Sequence, residues 1–341
     1  MNLPSYEFLP APLWLINVLH VVTLTLHFVA MNFLLGGVIV LLFGRMKDKW
    51  HDRTMLTFIR VFPAAVAATV TLGVAPLLFL QLVYYQQVYS AAIVSAWLWL
   101  GIIGAVIVAY YFLYGASFSS LNKPGRLPVF LGISAVLLLY VSFVYSTVFS
   151  MAERPDLYRM LYADNQTGLV MNTDVGAWIM RWLHMVLGSV TVGGFFVGLI
   201  GRDNEPAFKL GKAFFLYGMV ATMVVGMLYL FTLGDYLLAF MRSPAIWVLT
   251  ASIVLSLGSL HFYFKKKWVP SGLMVFLSLT GMVVIRHMLR LMVLGDRFDP
   301  GSIPIKPQWS VFVLFLVCFV IAIGLVWYML RAFTTERRKA A

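Results

Sequence analysis

Nine runs of apolar residues, interrupted only by scattered polar side chains, leave this chain very little structural choice. They fall at roughly 12–44, 56–83, 91–118, 127–150, 176–200, 208–238, 244–264, 268–293 and 308–332. About 20 apolar residues cross a bilayer as an α-helix, and lipid offers no water to satisfy exposed backbone groups, so irregular backbone is excluded there. Several runs are longer than a crossing requires and must tilt or project. Of the 341 residues, 62% are hydrophobic and 11% charged, which is far from the balance of a soluble domain. The expected fold is all-α: a polytopic membrane helical bundle of about nine transmembrane helices, forming a single integral membrane domain over 1–341.

The distribution of charge predicts the orientation. Connections after odd-numbered runs are basic: Arg45, Lys47, Lys49 and Arg53; Lys123 and Arg126; Arg202, Lys209 and Lys212; Lys265, Lys266 and Lys267; Arg331, Arg337, Arg338 and Lys339. Those after even-numbered runs mix signs, as in Glu153, Arg154, Asp156, Arg159, Asp164 and Asp174, or Asp296, Arg297, Asp299 and Lys306. Short basic loops stay in the cytoplasm, so the N-terminus is expected outside and the C-terminus inside. The formal charge of +12 is thus a topology signal, with no nucleic-acid partner implied. The longest connection, about 151–175, is expected as an external cap or docking surface. The first residues lack the basic start of a signal peptide, so the first span reads as retained. The single cysteine, Cys318, permits no intramolecular disulfide, no cysteine-cluster metal site and no covalent haem motif.

One pattern occurs twice. His27 and His184 are each followed nine and ten residues later by a Gly-Gly pair, Gly36-Gly37 and Gly193-Gly194. Eighteen residues on comes the arginine of a Gly-Arg pair, Arg45 and Arg202. At ~1.5 Å per residue each histidine lies roughly 27 Å from a basic helix end, so the two share one depth. Ionisable residues inside a membrane are costly and are retained for function, and a repeated histidine at one depth points to a non-covalent cofactor, haem first. The alternative is a pair of core histidines bonded to neighbouring carbonyls. His287, and His20 two turns outward of His27, are further candidate iron ligands; His51 and His261 lie towards the cytoplasmic side and carry no such expectation.

Arginines accompany these histidines. Arg181 precedes His184 by one turn, and Arg286 and Arg290 flank His287, where they are placed to neutralise haem propionates; the alternative is snorkelling to headgroups. Gly36, Gly37, Gly188, Gly193 and Gly194 either make room for a flat macrocycle or let helices pack closely. Asp235, at the outer end of the sixth run, is a candidate proton acceptor in quinol oxidation, with Tyr236 a hydrogen-bond donor to a quinone oxygen. Its alternative role is to cap a helix end in water.

These residues resemble subunit I of the cytochrome bd-type quinol oxidases, also a chain of nine spans with its N-terminus outside. The resemblance rests on His27 with Leu35-Gly36, Gly73-Val74, Tyr84-Tyr85, and His184 through Gly193 and Phe196. It continues through Leu233-Gly234-Asp235, Lys266-Lys267-Trp268 and Gly295-Asp296-Arg297. It implies that His27 ligates the oxygen-reactive haem site and His184 a low-spin haem b, in a prokaryotic cytoplasmic membrane and alongside a second membrane subunit. The chain departs from that family where oxygen chemistry would be supported. No methionine lies in 244–255, where Ser252 is near the place of the family's second ligand; Arg286, beside His287, replaces a glutamate ligand. Residues 91–118 contain no acid, and the quinol-oxidising loop shrinks to a few residues around Arg242. The expectation is a haem b subunit, with two or more haems, relaying electrons between the quinone pool and an external redox protein such as a c-type cytochrome. A divergent oxygen reductase and a haem-free scaffold or transporter are the other readings.

Overall fold

The computed structural model describes residues 8–46, 53–119 and 124–340. The basic stretch at 47–52, His51 among it, and Lys123 lie outside the described residues. The helices in chain order are α1 (Leu13–Met46), α2 (Arg53–Val83), α3 (Tyr85–Val94), α4 (Ala96–Ser119), α5 (Leu127–Ala152) and α6 (Pro155–Asp164). They continue with α7 (Val175–Ile200), α8 (Glu205–Phe231), α9 (Tyr236–Arg242), α10 (Ala245–Phe264), α11 (Trp268–Leu294) and α12 (Trp309–Ala340). Among the described residues nine helices are long and apolar enough to cross a membrane: α1, α2, α4, α5, α7, α8, α10, α11 and α12. The protein is therefore an all-α, multi-pass membrane protein.

Two compact units emerge, Val18–Asp299 and the terminal pair Met1–Asn17 with Pro300–Ala341. Within the terminal unit, Leu9 and Ile305 form a parallel bridge, with Leu9 N–H donating to Pro304 O at 2.7 Å and Lys306 N–H to Leu9 O at 2.9 Å. Nearly every described side chain of α12 is exposed, including Val311, Leu314, Ile321 and Trp327, a surface that suits lipid.

The larger unit contains every candidate site. The third apolar run is interrupted, because α3 ends at Val94 and α4 restarts at Ala96. The loop after α6 inserts at this break: Ser95 Oγ donates to Val170 O at 2.6 Å, Trp97 N–H to Gly168 O at 3.0 Å, and Val170 N–H to Val94 O at 3.3 Å. Backbone groups released by the break are thereby satisfied inside the protein. The sixth run is likewise shorter than the hydropathy indicates, since Gly234 adopts φ +56° and turns the chain from α8 into α9, a conformation glycine enters without steric cost.

Packing depends on small residues. α7 and α8 meet where Gly194 and Gly198 face Gly211 and Phe215; a Cβ on Gly211 would lie 2.3 Å from Gly198 N. This is the close backbone approach that a Gly-x-x-x-Gly spacing permits. The main core is built from Leu34, Val38 and Leu41 of α1 with Phe58 and Phe62 of α2 and Leu113 and Leu131 of α4 and α5. Hydroxyls on the spans return to their own helix, as Thr69 Oγ1 to Ala65 O and Thr222 Oγ1 to Gly218 O, which leaves few of them unsatisfied in an apolar medium.

Candidate functional site

The sequence repeat is also a repeat in space. α1 and α7 touch through equivalent residues: Ser189 Oγ donates to Asn32 Oδ1 at 2.7 Å, and each is five residues beyond its histidine. Gly36 and Gly193, each nine beyond, lie back to back; a Cβ on Gly36 would sit 1.8 Å from Ser189 O, and one on Gly193 2.3 Å from the carbonyl carbon of Gly36. Like residues meeting like residues is the mark of an isologous contact. This settles the use of these two glycines. Their faces are filled by the backbone of the other helix, so Gly36 and Gly193 make no room for a cofactor, contrary to one of the two expectations. Gly188 differs, having open space in front of it one turn beyond His184.

Each repeated histidine is anchored in the same way on the helix that follows it. His27 Nδ1 lies 2.9 Å from Thr69 O on α2, and His184 Nδ1 lies 3.0 Å from Thr222 O on α8. Because a carbonyl only accepts, the ring proton sits on Nδ1 and Nε2 carries the free lone pair. Neither Nε2 makes a hydrogen bond among the described residues. A glycine follows each threonine by four residues, and a Cβ on Gly73 or Gly226 would come within 2.9 Å of the His27 ring or 2.8 Å of the His184 ring. His20 Nδ1 also bonds a carbonyl, Pro76 O at 3.0 Å, without such a glycine.

The arginines converge on a single carboxylate that the sequence placed among loop residues. Glu153, immediately after α5, is 6% exposed. Arg286 Nη2 donates to its Oε1, Arg290 Nε reaches the same oxygen at 3.3 Å, and Arg181 Nη1 is 3.7 Å from Oε2. Burial alone would push the Glu153 carboxyl up, but Arg286, followed by Arg181 and Arg290, outweighs it and holds the group below the ordinary carboxylate range. Arg181 also donates to Ser146 O. Three guanidiniums against one carboxylate leave a surplus of positive charge in the interior. Arg181 Nε and Arg290 Nη1, on residues 7% and 8% exposed, have no hydrogen-bond partner among the described residues, and nor does His287 Nδ1. A small cavity lined by Tyr84, Gln87, Phe149, Glu153 and Arg290 opens beside them. Arg290 also stacks over the Tyr84 ring at 5.3 Å, just beyond the end of α2, the helix whose Pro76 carbonyl holds His20. The structure therefore gathers His20, His287, Arg181, Arg286 and Arg290 at one end of the unit.

Other expected positions fall elsewhere. Asp235 is exposed at the start of α9 and makes no capping hydrogen bond, with Tyr236 half-buried beside it. Ser252 is buried against α11, where a Cβ on Gly281 would lie 2.0 Å from its Oγ, so that place serves helix packing. His261 is exposed near the end of α10. Sequence reasoning missed Glu153, although three arginines inside spans demand an acid at their depth. It also missed the Thr-x-x-x-Gly spacing at 69–73 and 222–226, which is the second half of the repeat.

Fold and site together define a multi-pass helical membrane protein with a duplicated histidine anchor and a buried arginine–glutamate cluster. No family model matches the chain, and no curated protein matches it either.

Proposed function

We propose that the protein is a haem b-binding membrane electron-transfer subunit, divergent from the cytochrome bd-type quinol oxidase subunit I that its motifs resemble. The observation carrying this reading is the repeated histidine with Nδ1 donating to a backbone carbonyl and Nε2 left free. Histidines that ligate metals present themselves in this way, since the second hydrogen bond fixes the tautomer and raises ligand basicity. A merely structural pair would share the carbonyl contact, but has no need for two copies that agree in the threonine supplying the carbonyl and in the glycine four residues beyond it.

The donor set fits haem in two respects. His27 and His184 would each ligate iron through Nε2, and the guanidinium groups of Arg181, Arg286 and Arg290, which outnumber the one carboxylate they share, would donate to the propionate carboxylates. Haem supplies reversible one-electron exchange; the protein supplies ligands, charge compensation and exclusion of water. Glu153 keeps the arginine side chains converged, and His20 or His287 would be a further iron ligand. Electrons accepted must leave again, so a quinone pool and an external redox protein are the proposed donor and acceptor, with a further membrane subunit completing the assembly. The basic connections support an N-terminus outside and a cytoplasmic C-terminus. At the start of α9, Asp235 would accept the proton a quinol releases, with Tyr236 donating a hydrogen bond to a quinone oxygen. The oxygen-reductase alternative gains nothing from the fold, since no carboxylate on α4 is available to deliver protons.

The test is optical. The purified protein is expected to show a reduced-minus-oxidised spectrum of haem b. His184→Ala and His27→Ala are each expected to remove one haem per chain while leaving the other. Full haem content with an unchanged spectrum in either variant would overturn the assignment of that histidine.

A further inference from the structure

We infer that Gly73 and Gly226 are positioning residues for two matched ligand sites: each uncovers the carbonyl that selects which nitrogen of His27 or His184 faces a metal ion. The inference rests on the haem reading for the metal, though not for the orientation of the rings.

A helical side chain points back towards the N-terminus, so the residue at i+4 lies over the carbonyl at position i. A hydrogen there lets an imidazole from a neighbouring helix reach the carbonyl edge-on. At 69–73 and again at 222–226 the chain has this arrangement, with Thr69 and Thr222 supplying the carbonyl and glycine supplying the opening. The ring atoms that a new Cβ would meet are Cε1 and Nδ1 in both cases, the edge that makes the hydrogen bond. These contacts are with the far end of a side chain rather than with backbone. An added methyl is therefore relieved by swinging the ring away, which keeps the helices in place and breaks the Nδ1 contact. Gly36 and Gly193, facing backbone, have no such escape.

The experiment uses the purified full chain and its Gly73→Ala and Gly226→Ala variants. Gly258→Ala is the matched control, because its Cβ would meet Met274 Sδ at 2.9 Å, an equally tight contact with a flexible side chain that involves no histidine. Gly73→Ala is expected to weaken haem retention at the His27 site by about 10- to 100-fold, the usual range for losing an outer-shell partner, with the His184 site unchanged. Gly226→Ala is expected to do the reverse, and the control neither. Nitrogen-15 spectra of histidine-labelled protein, assigned by loss of signals in His27→Ala and His184→Ala, read the ring directly. They should show the Nδ1–H tautomer at both rings in the parent and its loss at one ring in each variant. If the parent retains that tautomer but binds no haem, the haem reading fails and the positioning role stands. Unchanged ring signals in both alanine variants, or equal loss at both sites in each variant, would overturn the positioning role.

Discussion

Gly36→Leu is expected to prevent accumulation of folded, monodisperse protein, and Gly193→Leu to do the same. The Cβ alone would lie 1.8 Å from Ser189 O at the first position and 2.3 Å from Gly36 carbonyl carbon at the second, so the obstacle is main chain on both sides. Relief requires α1 and α7 to separate, which also breaks the Ser189–Asn32 hydrogen bond one turn away. Overpacking costs typically about 1–3 kcal/mol when side chains can adjust. Here they cannot, and the loss should exceed about 3 kcal/mol, a large part of a margin of roughly 5–15 kcal/mol. Gly104→Leu is the control, since nothing lies within 4 Å of that glycine. Size-exclusion profiles and thermal unfolding in detergent measure the outcome; normal folding of Gly36→Leu would mean that the helices do not cross there. The neighbouring glycines should rank by the same criterion. Gly37→Ala meets the Phe62 ring at 3.1 Å and should be mild, whereas Gly194→Ala meets Phe215 N at 2.6 Å and should be damaging.

Glu153→Gln should be the most destabilising single-atom-scale change in the protein, by about 3–5 kcal/mol, the usual cost of leaving buried charge without its partner. It would strip Arg181, Arg286 and Arg290 of the one carboxylate they share. Replacing Arg286 by Gln in the same chain should recover part of the loss, and the double-mutant cycle measures the coupling. The pH dependence follows from the sign of the shift. Because the folded carboxyl titrates below its unfolded value of roughly 4.3, its contribution is complete above that pH and is lost only as pH falls through the lower folded value. Stability of the parent should thus be insensitive to this group from neutrality down to mild acid and then decline, while Glu153→Gln should lack that acid limb. Equal thermal stability of Glu153→Gln and the parent at neutral pH would show that the arginines hold another counterion.

Much of this protein was legible without coordinates. Nine apolar runs in a chain with few charges admit only helices across lipid, because the constraint acts on each segment separately and needs no knowledge of its neighbours. The repeat of His27 and His184 was visible for the same reason, as a matter of spacing along one chain. Where the run was only apolar on average, hydropathy overran the helix: α3 stops at Val94 and α8 at Phe231, because of a hydrogen-bonding loop at Ser95 and a turn at Gly234 that no hydropathy average detects. Tertiary structure decided every question that concerns what lies opposite a residue. Gly36 and Gly193 were equally suited to a macrocycle or a helix crossing until Ser189 and Gly36 were found filling the space. Glu153 read as one more loop acid, yet it sits at the depth of three arginines drawn from two other helices. The periodicity of a helix reveals its depth and its apolar character, but in a chain apolar on nearly all faces it does not say which face meets a neighbour. Counterions, carbonyl partners and close crossings are set by that choice, which only the packing of the helices makes.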